Sequence, residues 1–110
     1  MDKCECLNYV VKNCFIFTDS FIAGGTKLVE IIDKKHNLGI NKIFHSRDRR
    51  TVEFEDGEIW SIRSFRSLDG LRWDKCFVDS NSVTIAAHHH IAALANSNVD
   101  MEKDMMLFNW

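Results

Sequence analysis

The stretch TVEFEDGEIWSIRSFRSLDGLRWDKCFVDSNSVT, residues 51–84, decides how the rest of the chain is read. Val52 and Phe54 alternate with Glu53 and Glu55, the period of a half-buried strand. Trp60 and Ile62 alternate with Ser61 and Arg63 beyond Asp56-Gly57. A two-residue Asp-Gly turn would set Phe54 against Ile59 and Val52 against Ser61. A three-residue turn, Glu55-Asp56-Gly57 with Gly57 in the left-handed region, sets Val52 against Trp60. Only that second register gathers Val52, Phe54, Trp60 and Ile62 on one face, and a one-residue slip would lose it. The second register is therefore the expected one.

After the hairpin comes a polar connection, Phe65 to Asp74, with Arg66, Gly70, Arg72 and Trp73. Lys75-Cys-Phe-Val-Asp79 then reads as a short apolar strand ending in an acid. In an α/β sheet, an acid at the carboxyl end of a buried strand faces the crevice where ligands bind. The simpler reading is that Asp79 caps the following turn through Ser80, Asn81 and Ser82.

The order of hairpin, polar loop and acid-ended strand resembles the ATPase core of phage large terminases. The residues that carry the resemblance are Phe54, Asp56-Gly57, Ile59, Gly70, Asp74 and Cys76-Phe-Val-Asp79, about a third of the chain. It implies a P-loop ATPase fold, with Asp79 in the place of the Walker B acid, and it implies a phage origin. The pattern departs at two positions: Ser80 stands where the catalytic Glu belongs, and Asp69 where an Arg precedes the glycine.

Upstream, Cys14-Phe-Ile-Phe17 is an apolar strand closed by Thr18-Asp19-Ser20. Gly24-Gly25-Thr26-Lys27 follows and leads into a helix over about 27–37. Leu28, Ile31, Ile32 and Lys35 share one stripe of that helix, and Asn37-Leu38-Gly39 is its stop signal. A strand, a glycine-bearing loop and a helix make the architecture of a phosphate cradle, since free amides and the helix dipole favour anions. Such a cradle would use Gly24, Gly25, Thr26 and Lys27 with Asp79, and would take ATP or GTP with Mg²⁺. The motif GxxxxGK[ST] is not intact: Gly-Lys-Thr is reordered to Gly-Thr-Lys, and Ser20 stands where the first glycine belongs. A plain strand-to-helix turn with Thr26 near the cap is the simpler reading.

Lys42-Ile-Phe-His45 is a further short strand, and the helix before it suggests a parallel βαβ unit. Arg47, Arg49 and Arg50 make the next loop basic, and all the arginines fall between Arg47 and Arg72. Acids from Asp48 to Asp69 are interleaved with them, so the charge is local. Residues 82–95 read as a helix through Ile85, His88 or His89, Ala92 and Ala95. His88-His89-His90 point about 100° apart on such a helix and cannot share one metal, so a partly buried histidine face is expected. Met105 to Trp110 is apolar to its last residue and reads as a docked strand. Residues 1–12 fit either a helical turn or an edge strand.

Length and composition bound the rest. The chain has 110 residues, 45% of them hydrophobic, including eight Phe and three Trp. That suffices for one α/β domain over 1–110 with a mixed sheet, a hairpin and two main helices. The net charge of −2 gives no general field for nucleic acid or anionic membrane. No stretch reads as a membrane span or a signal peptide, which points to the cytoplasm and to reduced cysteines. Cys14 and Cys76 fit as small core residues, and the four cysteines lack zinc-ribbon spacing. No metal site and no intact catalytic set is expected.

The function these features suggest is a non-catalytic, phage-like binding or regulatory protein that contacts a protein partner, for example as an inhibitor of a host enzyme or host defence in the host cytoplasm. Arg47, Arg49, Arg50, Phe65, Arg66, Arg72 and Trp73 are the candidate contact surface, because Arg and Trp anchor interfaces. Two alternatives stand beside it: a nucleotide-binding protein with a degenerate P-loop, and nucleic-acid binding through the Arg47–Arg72 loops.

Overall fold

The computed structural model describes residues 11–35, 40–45, 50–66 and 68–109. Among them lie six strands and three helices. The strands are β1 (Lys12–Phe17), β2 (Ile40–His45), β3 (Arg50–Phe54), β4 (Glu58–Arg63), β5 (Lys75–Asp79) and β6 (Met105–Phe108). The helices are α1 (Phe21–Lys34), α2 (Ile85–Ala93) and the single turn α3 (Met101–Asp104). The strands form one mixed sheet in the order β2-β3-β4-β1-β5-β6. β4, β1, β5 and β6 run parallel, and β3 is antiparallel to both its neighbours.

The hairpin has the register expected for a three-residue turn. Val52 stands opposite Trp60. Gly57 has φ 94°, and its N–H donates to the Phe54 carbonyl at 3.1 Å. Val52, Phe54, Trp60 and Ile62 are all buried together. A side chain at position 57 would be strained in that left-handed conformation, so the Asp-Gly pair fixes both the turn and the buried face.

Each face of the sheet carries its own core. On one face Ala23, Leu28 and Ile31 of α1 pack with Cys14, Ile16, Trp60, Ile62 and Phe108. On the other, Phe15, Phe17, Cys76 and Val78 meet Leu68, Trp73 and Ile91. The switch follows from strand alternation: Cys14 and Ile16 look one way, Phe15 and Phe17 the other. Cys14 and Cys76 are buried free thiols, and burial pushes both well above the usual thiol range, so neither is a ready nucleophile.

The expected parallel βαβ unit forms, but its two strands are not neighbours. β2 runs in the same direction as β1, but β4 and β3 lie between them, because the hairpin supplies β1 with an in-register neighbour from Lys12 against Glu58 to Phe17 against Arg63. The long helix starts at Phe21, six residues before the expected start, and ends at Lys34. Its N-cap is Ser20, whose hydroxyl accepts from the Ala23 N–H at 3.2 Å. Gly24 and Gly25 are therefore helical and do not form a loop. The readings for Arg47, Arg49, the stop signal Asn37-Leu38-Gly39, Trp110 and residues 1–10 lie outside the described residues.

Candidate functional site at the carboxyl rim of the parallel strands

The site suggested by the sequence lies where β1, β4, β5 and β6 end. The link from β1 to α1 is only Thr18-Asp19-Ser20. Thr18 is buried, and its hydroxyl donates to Asp79 Oδ2 at 2.7 Å. The same oxygen accepts from the Ser82 hydroxyl at 2.8 Å, and Oδ1 accepts from the Asn81 N–H at 2.9 Å. Asp79 is fully buried by these partners. It caps the turn after its own strand and is also tied to the neighbouring strand, a link that sequence alone does not show. Thr18 Oγ1 in turn accepts from the Ser20 N–H at 3.0 Å, so one hydroxyl joins Asp79 to the start of α1.

Next to this group Asp19 is exposed, and its Oδ1 accepts from the Ser64 hydroxyl at 2.9 Å and from the Phe65 N–H at 3.3 Å. Thr18, Asp19, Ser20, Phe21, Ile62 and Ser64 line a hollow of about 70 Å³. Small-molecule pockets usually enclose about 300–1,000 Å³, so this hollow is smaller than that range.

The four residues of the expected cradle go elsewhere. Gly24 lies against the sheet: a Cβ there would come within 2.8 Å of Ile62 Cγ2 and 3.1 Å of Thr18 Cγ2. Glycine at 24 thus sets how closely α1 approaches β1 and β4. Gly25 is buried in the same helix and Thr26 is exposed. Lys27 Nζ lies 4.4 Å from the centroid of Phe77 and 5.4 Å from that of Phe108, with Glu30 at 3.5 Å. The lysine is spread over aromatic faces on β5 and β6 and is partnered within its own helix.

Of the expected contact surface, Arg66 and Arg72 are exposed and Phe65 is partly buried against the second core. Arg50 opens β3 opposite His45. Trp73 corrects the expectation: it is fully buried, and its indole N–H donates to the Ile91 carbonyl at 2.7 Å. A tryptophan in a polar connection looks like a surface anchor, yet this one pins the connection beneath α2. His88 and His89 line an open hollow of about 320 Å³ with Val83, Thr84 and Ile85. No group of three metal-binding side chains is found among the described residues.

Sequence reasoning missed a second cluster, at the opposite end of the strands. Glu58, buried at the start of β4, accepts from Lys75 Nζ at 2.8 Å, Lys35 Nζ at 3.0 Å and the Trp60 indole at 2.9 Å. Lys35 also reaches Asp56 at 2.7 Å. Burial alone would push the Glu58 carboxyl up, but the three donors outweigh it and hold it down at about 2. The Glu58 hydrogen bond raises Lys75. Burial alone would lower Lys35, but Asp56 and Glu58 together raise it. A sequence clue existed: in the preferred register Glu58 points to the apolar face, where an acid needs partners.

Several large apolar side chains remain uncovered. Phe21, Ile22 and Val29 on α1 are 53%, 77% and 60% exposed. No helix among the described residues is long and apolar enough to cross a membrane.

Comparison with known proteins gives the fold a counterpart. The chain is similar to the large terminase of a thermophilic bacteriophage, with a TM-score of 0.54 and 18% identity over 90% of this chain. It spans 24% of the length of that terminase chain. No family model and no curated protein matches. The likeness is one of fold: an α/β sheet with the terminase-type arrangement.

Proposed function

We propose that this protein is a non-catalytic binding protein that works by contact with a protein partner. The observation that carries the reading is the closed carboxyl rim. On a terminase-like fold, Asp79 is occupied by Thr18, Asn81 and Ser82, and Lys27 is laid across Phe77 and Phe108. The three-residue link before α1 is too short to wrap phosphates. The exposed residues Ile22 and Val29, one face of α1 at helical spacing, supply apolar contact area. The likeness to a phage protein supports a phage-derived role in a host cytoplasm, of which an inhibitor of a host enzyme or defence is one form.

Thermal unfolding with ATP, ADP and GTP, each with Mg²⁺, is the test. A true ligand at about 100 times its dissociation constant adds roughly 2.7 kcal/mol, a shift of several degrees for a domain of this size. No shift with any of the three is expected. A shift that disappears in Lys27→Ala would replace this reading with nucleotide binding.

A further inference from the structure

The two outer strands of the sheet are finished differently. β2 pairs with β3 through a register irregularity between Ile40 and Lys42, and its sequence carries a lysine at 42. A bulge and a lysine are two of the devices that stop an edge from recruiting another strand. β6 has neither. Met105-Met106-Leu107-Phe108 contains no charge and no proline, and it pairs with β5 in register over its whole length. Its other side carries no strand among the described residues, and Leu107 is 59% exposed.

The direction of the β6 backbone groups can be read from one bond. The Ser80 N–H donates to the Phe108 carbonyl at 2.9 Å, so Phe108 turns its peptide groups toward β5. The two-residue period turns those of Met106 the same way and those of Met105 and Leu107 outward. An antiparallel copy of this strand centred on Met106 would set Met105 opposite the partner's Leu107, and Leu107 opposite the partner's Met105. Both pairs are of the kind that exchanges two hydrogen bonds, so four bonds form without any change of register. Met105 and Leu107 share a face, and a two-fold axis normal to the sheet preserves that match. The paired segment, Met105 to Phe108, carries no charge, so no like charges meet across it.

We propose that β6 is a self-pairing edge through which a second copy of this chain joins antiparallel, extending the sheet across a two-fold axis. This holds whether or not the partner-binding reading above is correct. An interface of four residues on each side gives a concentration-dependent dimer and not a permanent one.

The test is molar mass by light scattering from micromolar to sub-millimolar protein, with amide hydrogen exchange at both ends of that range. The mass should rise from 12.8 kDa toward twice that value, and the amides of Met105 and Leu107 should become protected only at high concentration. Leu107→Pro removes an N–H that points away from β5, so the fold persists while the dimer weakens about tenfold or more. If circular dichroism shows that the proline variant fails to fold, Leu107→Lys at the same exposed position carries the test and should give a folded monomer. A monomer throughout, a dimer indifferent to both variants, or amides of Met105 and Leu107 whose exchange ignores concentration would each overturn the proposal.

Discussion

At both ends of the same parallel strands a carboxylate is buried, but the two are held in different ways. At the carboxyl rim Asp79 accepts from two hydroxyls and one backbone N–H. At the amino rim Glu58 accepts from two ammonium groups and an indole. Hydroxyls and amides satisfy lone pairs, whereas lysines also neutralise charge. Exposed Asp19 adds a second carboxylate beside Asp79 at the carboxyl rim. In α/β proteins that rim is where ligands bind. The amino rim is a neutralised clamp that joins the hairpin, the end of α1 and β5. The contrast separates a ligand-type position closed on itself from a purely structural one, and it can be broken by substitution.

The largest expected effect is at Asp79. Asp79→Ala leaves the Thr18 and Ser82 hydroxyls and the Asn81 N–H without their acceptor, and should cost about 3 kcal/mol in urea unfolding. A loss below about 1 kcal/mol would show that water already serves those donors and that the rim is open.

Glu58→Gln comes next, at about 2 kcal/mol near neutral pH, because it removes two ion pairs while the amide oxygen can still accept from Trp60. The pH dependence identifies the network. Since the folded carboxyl sits near 2 against an ordinary 4.5, its stabilisation is complete above about pH 4.5 and is lost as the pH falls toward 2. Lys35 and Lys75 are raised, so their share is complete below about pH 10.5 and is lost as the pH rises past that value. In acid titrations of stability, wild type should fall through the lower window and Glu58→Gln should be flatter there. Parallel curves would remove Glu58 from the clamp.

What the sequence revealed, and what it hid, follows the same division. The hairpin was legible because its register is written twice, in the alternation of Val52, Phe54, Trp60 and Ile62 and in Asp56-Gly57. Strands β1 and β5 were legible as apolar runs, and the α/β class follows from them. The site was not. Paired glycines usually break helices, so Gly24-Gly25 read as a loop; the actual role of Gly24, close approach to Ile62, depends on a contact 38 positions away in sequence. Ser20 was the available cap signal and predicts the true helix start. Trp73 was misplaced because its partner, the Ile91 carbonyl, belongs to a helix 18 residues on. The Thr18–Asp79 bond spans 61 residues, and no local pattern encodes it.

Gly24→Ala tests that close approach. The added methyl meets Ile62 and Thr18, both β-branched and stiff about χ1. Overpacking should cost about 2 kcal/mol and better helix propensity should return about 1, leaving a net loss of about 1 kcal/mol in thermal unfolding. A net gain would mean that α1 lifts away from the sheet without cost. Because Thr18 is one of the two neighbours, the double variant with Asp79→Ala should be less destabilised than the sum of the two singles.

Lys27 gives the smallest effect and the sharpest distinction. Lys27→Met keeps a similar stem over Phe77 and Phe108 and removes the charge, so only the cation–π attraction and the weak Glu30 pair are lost. The expected cost is about 0.5 kcal/mol, read as a shift in the urea midpoint. In a working phosphate site a lysine is held among other positive groups and its removal relieves repulsion, so the same substitution would leave stability unchanged or raise it while abolishing ligand binding. A small loss places Lys27 with the structural charges of the amino rim. A gain would show that it is strained toward a ligand, and the carboxyl rim would then have to be regarded as an open site.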